Sequence, residues 1–172
     1  LAAVEVARQH CDNISFDLIY ARSGQKLADW QDELGEALAF APTHLSLYQL
    51  TIERGTRFFE RWKQGDLILP DEDLASDMFE LTNAACAAQG LAGYEVSNYA
   101  RPGFESRHNI SYWQSDPYIG IGPGAHGRLD CDQGRLATTR LRSPEKWLAG
   151  IEKSDHGLES EETISGDMLV AE

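Results

Sequence analysis

The stretch from Glu105 to Arg128, ESRHNISYWQSDPYIGIGPGAHGR, contains most of the side chains that could do chemistry. It combines an imidazole and an amide, His108 and Asn109, with an adjacent Tyr-Trp pair and four glycines, and it shows neither strand alternation nor a helical period. Histidine is the side chain that titrates near neutral pH, and His126 lies in the same stretch. An imidazole beside flat aromatic rings could bind a planar, apolar ligand such as a porphyrin, because haem iron is commonly held by histidine.

Two features of this stretch also have purely structural interpretations. Tyr112 and Trp113 could be core residues that anchor the loop. Gly120, Gly122, Gly124 and Gly127 indicate a backbone that turns sharply and passes close to something, either a ligand or another part of the chain in a strand-turn-strand corner. Their spacing matches neither the dinucleotide-binding fingerprint nor the P-loop, which argues against a phosphate cradle.

An acidic residue, Asp17, interrupts the apolar run from Ile14 to Ala21. A nearly continuous apolar strand is typical of a parallel sheet covered on both faces, where an unpaired carboxylate would be costly. Asp17 could therefore pair with a neighbouring Arg or a backbone N–H near the strand end. It could also contact a ligand at the carboxyl end of a barrel strand.

Composition excludes several classes of function. The chain has 172 residues and a net charge of -13, so it can form one ordinary core but lacks the basic surface that nucleic-acid binding requires. No apolar stretch approaches the ~20 residues of a membrane span. Cys11, Cys86 and Cys131 have no zinc or iron-sulfur spacing, and an odd number of thiols without a secretion signal predicts a reducing cytoplasm. Because the sequence begins without Met, as if within a helix, we expect an N-terminal portion to be missing.

The preceding elements predict an α/β fold. Strands at 14–21 and 44–52 flank an amphipathic helix at 27–40, and such a βαβ unit has parallel strands. A helix at 71–89 and a third strand at 94–100 follow. Beyond the glycine-rich stretch, the sequence predicts a turn at 130–134, a strand at 135–141, a helix at 144–153 and an acidic, exposed segment from 156 onward.

Several motifs together closely resemble the HemW family, which comprises haem chaperones of the radical SAM superfamily similar to anaerobic coproporphyrinogen III oxidases. The resemblance covers residues 14–151. It is carried by FDLIYA from Phe16, HLSLYQLTIE from His44, LPDED from Leu69, YEVSNYARPG from Tyr94, SRHNISYW from Ser106 and YIGIGPGAHGR from Tyr118. The HNxxYW motif is the signature proposed for haem binding in that family. The resemblance thus implies haem contacts by His108, Asn109, Tyr112 and Trp113, with His108 as the candidate ligand of the haem iron.

The resemblance also implies a fold and two cofactors. We expect the C-terminal half of a radical SAM (β/α)6 partial barrel at 1–100, a smaller α+β extension with the HNxxYW and glycine-rich region at 101–155, and an exposed tail or the start of a further domain at 156–172. The family binds S-adenosylmethionine and a 4Fe-4S cluster held by CxxxCxxC, a motif that this sequence does not contain. Residue-wise matching to the related oxidase places five residues on the S-adenosylmethionine side: Asp17, Thr51, Gly122, Ala125 and His126. At Thr51 and His126 the residue type differs from the oxidase, so backbone contacts transfer better than side-chain ones.

The function implied is that of a haem chaperone whose partners are haem and a haem-acceptor protein. The alternative is an oxygen-independent coproporphyrinogen III oxidase of porphyrin biosynthesis. A third interpretation is a structural segment without activity of its own, and we do not expect this segment alone to be catalytically competent. The sequence identifies no catalytic residue and no oligomeric state.

Overall fold

The computed structural model describes residues 2–132 and 134–164, which divide into two compact units after Ser106. The first unit contains α1 (Ala2–Arg8), β1 (Ser15–Tyr20), α2 (Leu27–Ala39), β2 (His44–Gln49), α3 (Arg57–Lys63), α4 (Glu72–Ala88), β3 (Ala92–Gly93) and β4 (Asn98–Ala100). The second contains α5 (Arg107–Trp113), β5 (His126–Cys131), β6 (Gly134–Arg140), α6 (Pro144–Ser154) and β7 (Leu158–Ile164).

The predicted βαβ unit forms the centre of the first unit. Strands β1 and β2 are parallel, with Asp17 opposite Ser46, and α2 connects them. The third strand differs from the prediction, because only Asn98–Ala100 is extended and it runs antiparallel to β2. This short strand forms a hairpin with β3, and two strands joined by so few residues can pair only antiparallel. The sheet order is β1-β2-β4-β3.

The core of the first unit lies on one face of this sheet. Trp30, Leu34 and Leu38 recur every four residues on α2, so they form one buried stripe, which belongs to the same core as Leu45 and Leu47 of β2. On α4 the buried positions are Met78, Thr82 and Cys86. A threonine lies in this apolar stripe because its hydroxyl accepts a hydrogen bond from the Trp30 indole N–H at 2.8 Å and donates one to the Met78 carbonyl at 2.6 Å.

The second unit is built on a three-stranded antiparallel sheet in the order β5-β6-β7. The predicted hairpin is confirmed as an antiparallel pairing of β5 with β6, with Cys131 opposite Gly134. The helix predicted at 144–153 is α6, and the Ser143 hydroxyl caps it by accepting from the Lys146 N–H at 3.3 Å.

Two segments of the second unit differ from the predictions. The acidic segment expected to be an exposed tail forms strand β7, which pairs with β6 along 158–164; residues 165–172 lie outside the described part. Its side chains at 159–163 are exposed and only Ile164 is buried, so backbone hydrogen bonds hold the strand and no apolar pattern announces it. Likewise, Arg107–Trp113 is a helix with no buried residue, which explains why the sequence lacks a helical period there.

The Trp30 hydrogen bond can be tested with a Thr82→Val variant. Valine keeps the shape of threonine but leaves the buried indole N–H without an acceptor, which costs about 1–3 kcal/mol. We expect urea unfolding to show a loss of that size in the free energy of unfolding. Thr163→Val, at an exposed position of β7, is the control and should change it by less than about 0.5 kcal/mol. Equal losses in the two variants would contradict the role assigned to Thr82.

Candidate functional site

The HNxxYW motif lies entirely on helix α5. Residues four apart share a helix face, so His108 and Tyr112 are neighbours, with ring centroids 4.8 Å apart in an edge-to-face arrangement. Tyr112 is 48% exposed and Trp113 is 62% exposed. The interpretation of these two aromatics as core residues is therefore wrong, and the helix presents them at the surface together with the imidazole of His108, while Asn109 is half-buried.

A third ring extends this surface. The rings of Tyr112 and Tyr118 are 4.7 Å apart, so His108, Tyr112 and Tyr118 form a continuous row, called here the aromatic row. Offset or tilted contacts of this kind are favourable between aromatic rings because of their quadrupoles. The aromatic row offers an imidazole at one end and two tyrosine rings along its length.

The glycine-rich loop fixes the position of Tyr118. Tyr118 and Arg128 exchange two backbone hydrogen bonds, of 2.6 and 2.8 Å, which close the loop between them. A Cβ atom on Gly120 would lie 2.2 Å from the carbonyl oxygen of His126, so a side chain has no room at this crossing. The loop thus passes close to its own backbone, as the strand-turn-strand interpretation requires.

A cavity of about 230 Å³ opens beside the aromatic row. It is lined by Tyr112, Ser115, Asp116, Tyr118, Arg128 and Arg135. The Arg135 guanidinium is held by the Asp130 carboxylate, 3.0 Å from Nε, and by the Ser115 carbonyl, which accepts from Nη1. Its side chain is only 14% exposed, so this cation has a fixed orientation. Arg128 ends the motif YIGIGPGAHGR but was given no role, and no motif includes Arg135; only their place at the glycine crossing and in the β5-β6 hairpin could have indicated them.

Of the residues predicted to contact S-adenosylmethionine, Asp17 and Thr51 belong to the first unit. Asp17 is exposed, because Phe16, Leu18 and Tyr20 take the more buried positions of β1 and the alternate positions face away from them. Its carboxylate has no hydrogen-bond or ion-pair partner among residues 2–132 and 134–164, so the proposed pairing with an Arg or a backbone N–H is not found. Thr51 is exposed beyond the end of β2, with its hydroxyl 3.3 Å from a Glu53 carboxylate oxygen.

The other three predicted S-adenosylmethionine contacts belong to the second unit. Gly122 has a φ of 101°, a conformation that favours glycine, and its carbonyl accepts from the Ala125 N–H at 3.3 Å. His126 begins β5, is exposed, and has Nδ1 3.5 Å from the Thr139 hydroxyl. A shared contact with one ligand by residues of both units stays a prediction.

A further histidine, His44, has a more elaborate setting than the sequence suggested. It is 7% exposed, with Nδ1 2.6 Å from the Ser15 hydroxyl and Nε2 2.8 Å from the Tyr94 hydroxyl. Burial lowers the pKa of His44, and the negative charges of Asp17 and Glu95 oppose that effect in part. The sequence pattern favoured the histidines near glycines, whereas His44 is a polar residue at the start of an apolar strand.

The cysteines do not form a metal site. Within the described residues no group of three or more His, Cys, Asp or Glu side chains could hold a metal ion. Cys86 is buried, which raises the pKa of its thiol to about 12, whereas Cys11 and Cys131 are exposed. The described residues therefore do not fit a 4Fe-4S cluster. No helix among them is long and apolar enough to cross a membrane.

Several known proteins are similar to this chain. No family model matches the chain. The mitochondrial radical S-adenosyl methionine domain-containing protein 1 of Danio rerio is 36% identical over the whole chain, and that of Mus musculus is 42% identical over 84% of it. The heme chaperone HemW of Escherichia coli (strain K12) is 40% identical over 80% of the chain. The chain spans 34–40% of the length of these relatives, and the resemblance to HemW is confirmed over the matched residues.

A solved structure shows the fold. Coproporphyrinogen III oxidase (HemN) from Escherichia coli, a radical SAM enzyme, matches 98% of the chain with a TM-score of 0.75 at 15% sequence identity. The match covers 41% of that enzyme. The prediction of an α/β fold corresponding to part of a radical SAM barrel and its extension is therefore confirmed.

The glycine crossing can be tested with Gly120→Ala. The added methyl group would overlap the His126 carbonyl oxygen, and such overpacking typically costs about 1–3 kcal/mol. We expect a lower melting temperature and a less ordered cavity. Gly35→Ala is the matched control: Gly35 lies in α2 with nothing within 4 Å of an added Cβ, and the change should stabilise by about 0.5–1 kcal/mol. Stabilisation by both substitutions would contradict the close approach.

The setting of His44 predicts a pH dependence of stability. The pKa of His44 is lowered from 6.5 in the folded state, so as the pH falls the unfolded chain binds a proton before the folded chain does. The neutral, buried imidazole therefore contributes its full share of stability above pH 6.5. That share is lost as the pH falls through the folded-state pKa. Urea unfolding at about pH 7.5 and about pH 5.5 should show a smaller decline for His44→Gln than for the unchanged chain. Identical declines in the two proteins would show that His44 does not titrate as burial requires.

Proposed function

We propose that this chain, a homologue of the HemW and radical S-adenosyl methionine domain-containing proteins over the matched residues, binds haem on helix α5 as part of a haem chaperone. The observation that carries the proposal is the aromatic row, which aligns an exposed imidazole with two tyrosine rings on one surface. Haem is the cargo of such a protein, and a haem-acceptor protein is its partner.

The geometry of α5 suits a ligand that must later be released. His108 is exposed, so its imidazole is accessible to haem iron from solvent, and a neutral imidazole nitrogen is a common axial ligand. The half-exposed face of Tyr112 supplies an apolar wall without enclosing the ligand. The exposed indole of Trp113, on the same helix, and the amide of Asn109 add contact area and a hydrogen-bonding group. A site on an open helix face leaves the bound porphyrin within reach of an acceptor.

S-adenosylmethionine is proposed to contact Asp17, Thr51, Gly122, Ala125 and His126. The exposed, unpaired carboxylate of Asp17 supports this role, because it is available to a polar ligand. The described residues do not supply ligands for the 4Fe-4S cluster. The predicted cytoplasmic location stays a prediction, since the relatives include proteins named as mitochondrial.

Oxygen-independent coproporphyrinogen III oxidase is the second candidate function, and the fold match to HemN favours it. Relatives at 40% identity that are named heme chaperones favour the first candidate instead. Formation of protoporphyrinogen by the complete, reconstituted protein would support the second candidate, and haem binding without such activity would support the first.

The haem proposal predicts the effect of His108→Ala. Loss of the axial ligand should weaken haem binding at least about tenfold, or about 1.4 kcal/mol, and should shift the Soret band. Haem titration followed by absorbance measures both effects. The control is His10→Ala, which removes an exposed imidazole from the other unit and should change neither.

Two outcomes of this titration would overturn the assignment. If His108→Ala binds haem as tightly as the unchanged chain and with the same spectrum, His108 is not the ligand. If the unchanged chain binds no haem, α5 is not a haem site.

A further inference from the structure

The cavity beside the aromatic row contains two guanidinium groups, those of Arg128 and Arg135. Two carboxylates accompany them: Asp116 lines the cavity and Asp130 pairs with Arg135. Tyr112 belongs both to the wall of the cavity and to the aromatic row. A recess that holds two guanidinium groups therefore adjoins the surface that is proposed to hold a flat macrocycle.

Arg135 is positioned in advance for an anion. Its Nε and Nη1 are engaged by Asp130 and by the Ser115 carbonyl, while Nη2 makes no hydrogen bond with the residues that the structure describes. The guanidinium is a planar fork of five donors, and its remaining donors match the geometry of a carboxylate. Because the side chain is only 14% exposed and already fixed, little conformational entropy is lost when a ligand binds.

The strand register places Arg128 on the same side of the sheet. Arg128 and Asp130 are two residues apart on β5, and Asp130 lies opposite Arg135 on β6, so all three side chains project from one face. The backbone pairing with Tyr118 sets Arg128 beside the last ring of the aromatic row. Both cations thus lie on the face that Tyr118 borders.

The size of the cavity limits what can enter it. At about 230 Å³ it is smaller than the roughly 300–1,000 Å³ of pockets that enclose whole organic ligands. It could accommodate a carboxylate arm and the adjoining edge of a larger molecule. The remainder of such a molecule would lie outside, along the aromatic row.

We propose that Arg128 and Arg135 form a carboxylate subsite that binds the propionate groups of haem while its ring lies along the aromatic row. This inference rests on the proposed function. His108 would bind the haem iron, and the two arginines would bind the carboxylate edge of the ligand. The subsite makes the bound porphyrin's orientation defined, because only one edge of haem carries carboxylates. The carboxylates of Asp116 and Asp130 repel the anion and lower its affinity, which suits a cargo that is handed on.

The test compares haem with its dimethyl ester, which keeps the iron and the ring but removes both carboxylate charges. We expect the full chain to bind haem roughly tenfold or more tightly than the ester, the factor that charge-assisted hydrogen bonds give. Arg128→Gln and Arg135→Gln should each weaken haem binding by about that factor and leave ester binding unchanged. Arg61→Gln, on the exposed α3, is the matched control and should change neither affinity.

A variant that is expected to strengthen haem binding distinguishes the subsite from simple misfolding. Asp116→Asn removes one opposing carboxylate, so it should strengthen binding of haem but not of the ester, whereas a folding defect would weaken both. Melting temperatures of all variants are measured alongside the titrations.

The outcomes separate this inference from the function on which it rests. If the unchanged chain binds haem and the ester equally, or if both arginine variants bind haem as the unchanged chain does, the carboxylate subsite is wrong and the haem site stands. If neither porphyrin binds, the proposed function fails and the subsite fails with it.

Discussion

The site in the second unit depends on one close contact between two backbone segments. The backbones of Tyr118 and Arg128 pair through two hydrogen bonds. Next to this pair the two backbones are so close that neither Gly120 nor Gly127 has room for a side chain. This contact brings the end of the aromatic row to the start of β5. From that point the strand register determines the face on which Arg128, Asp130 and Arg135 project. A few backbone constraints therefore set the positions of rings and cations that are far apart in the sequence.

The first unit is organised by a different constraint, an apolar core shared by its helices and its sheet. The helices bury Trp30, Leu34 and Leu38 together with Leu45 and Leu47, and the hydrogen bond between Trp30 and Thr82 satisfies the one polar group of the largest buried ring. The alternate positions of β1 are outside this core and exposed. Asp17 is exposed there without a partner among the described residues, and His44 of β2 is held between two hydroxyl groups.

The proposed haem site is open, and its carboxylate subsite is small. A buried haem pocket gives tight binding by removing the ligand from water, and it also slows release. Here His108 and Tyr112 are exposed, and the cavity that holds Arg128 and Arg135 is too small to enclose a macrocycle. Under the proposal, affinity comes from a few directed contacts, iron to imidazole and carboxylate to guanidinium, which an acceptor can replace one at a time.

The sequence alone determined the elements with a strong apolar period and the segments with distinctive motifs. The βαβ unit, α4, α6 and the β5-β6 hairpin follow from spacing and turn residues, and the HNxxYW and glycine motifs identified the relatives. Tertiary structure determined the elements that have no local sequence pattern. Strand β7 is held by backbone pairing, α5 has no buried stripe, and the antiparallel β4 follows from a hairpin. Arg128 and Arg135 meet one cavity only because strand register and a glycine crossing bring distant residues together, and such contacts leave no periodic trace in the sequence.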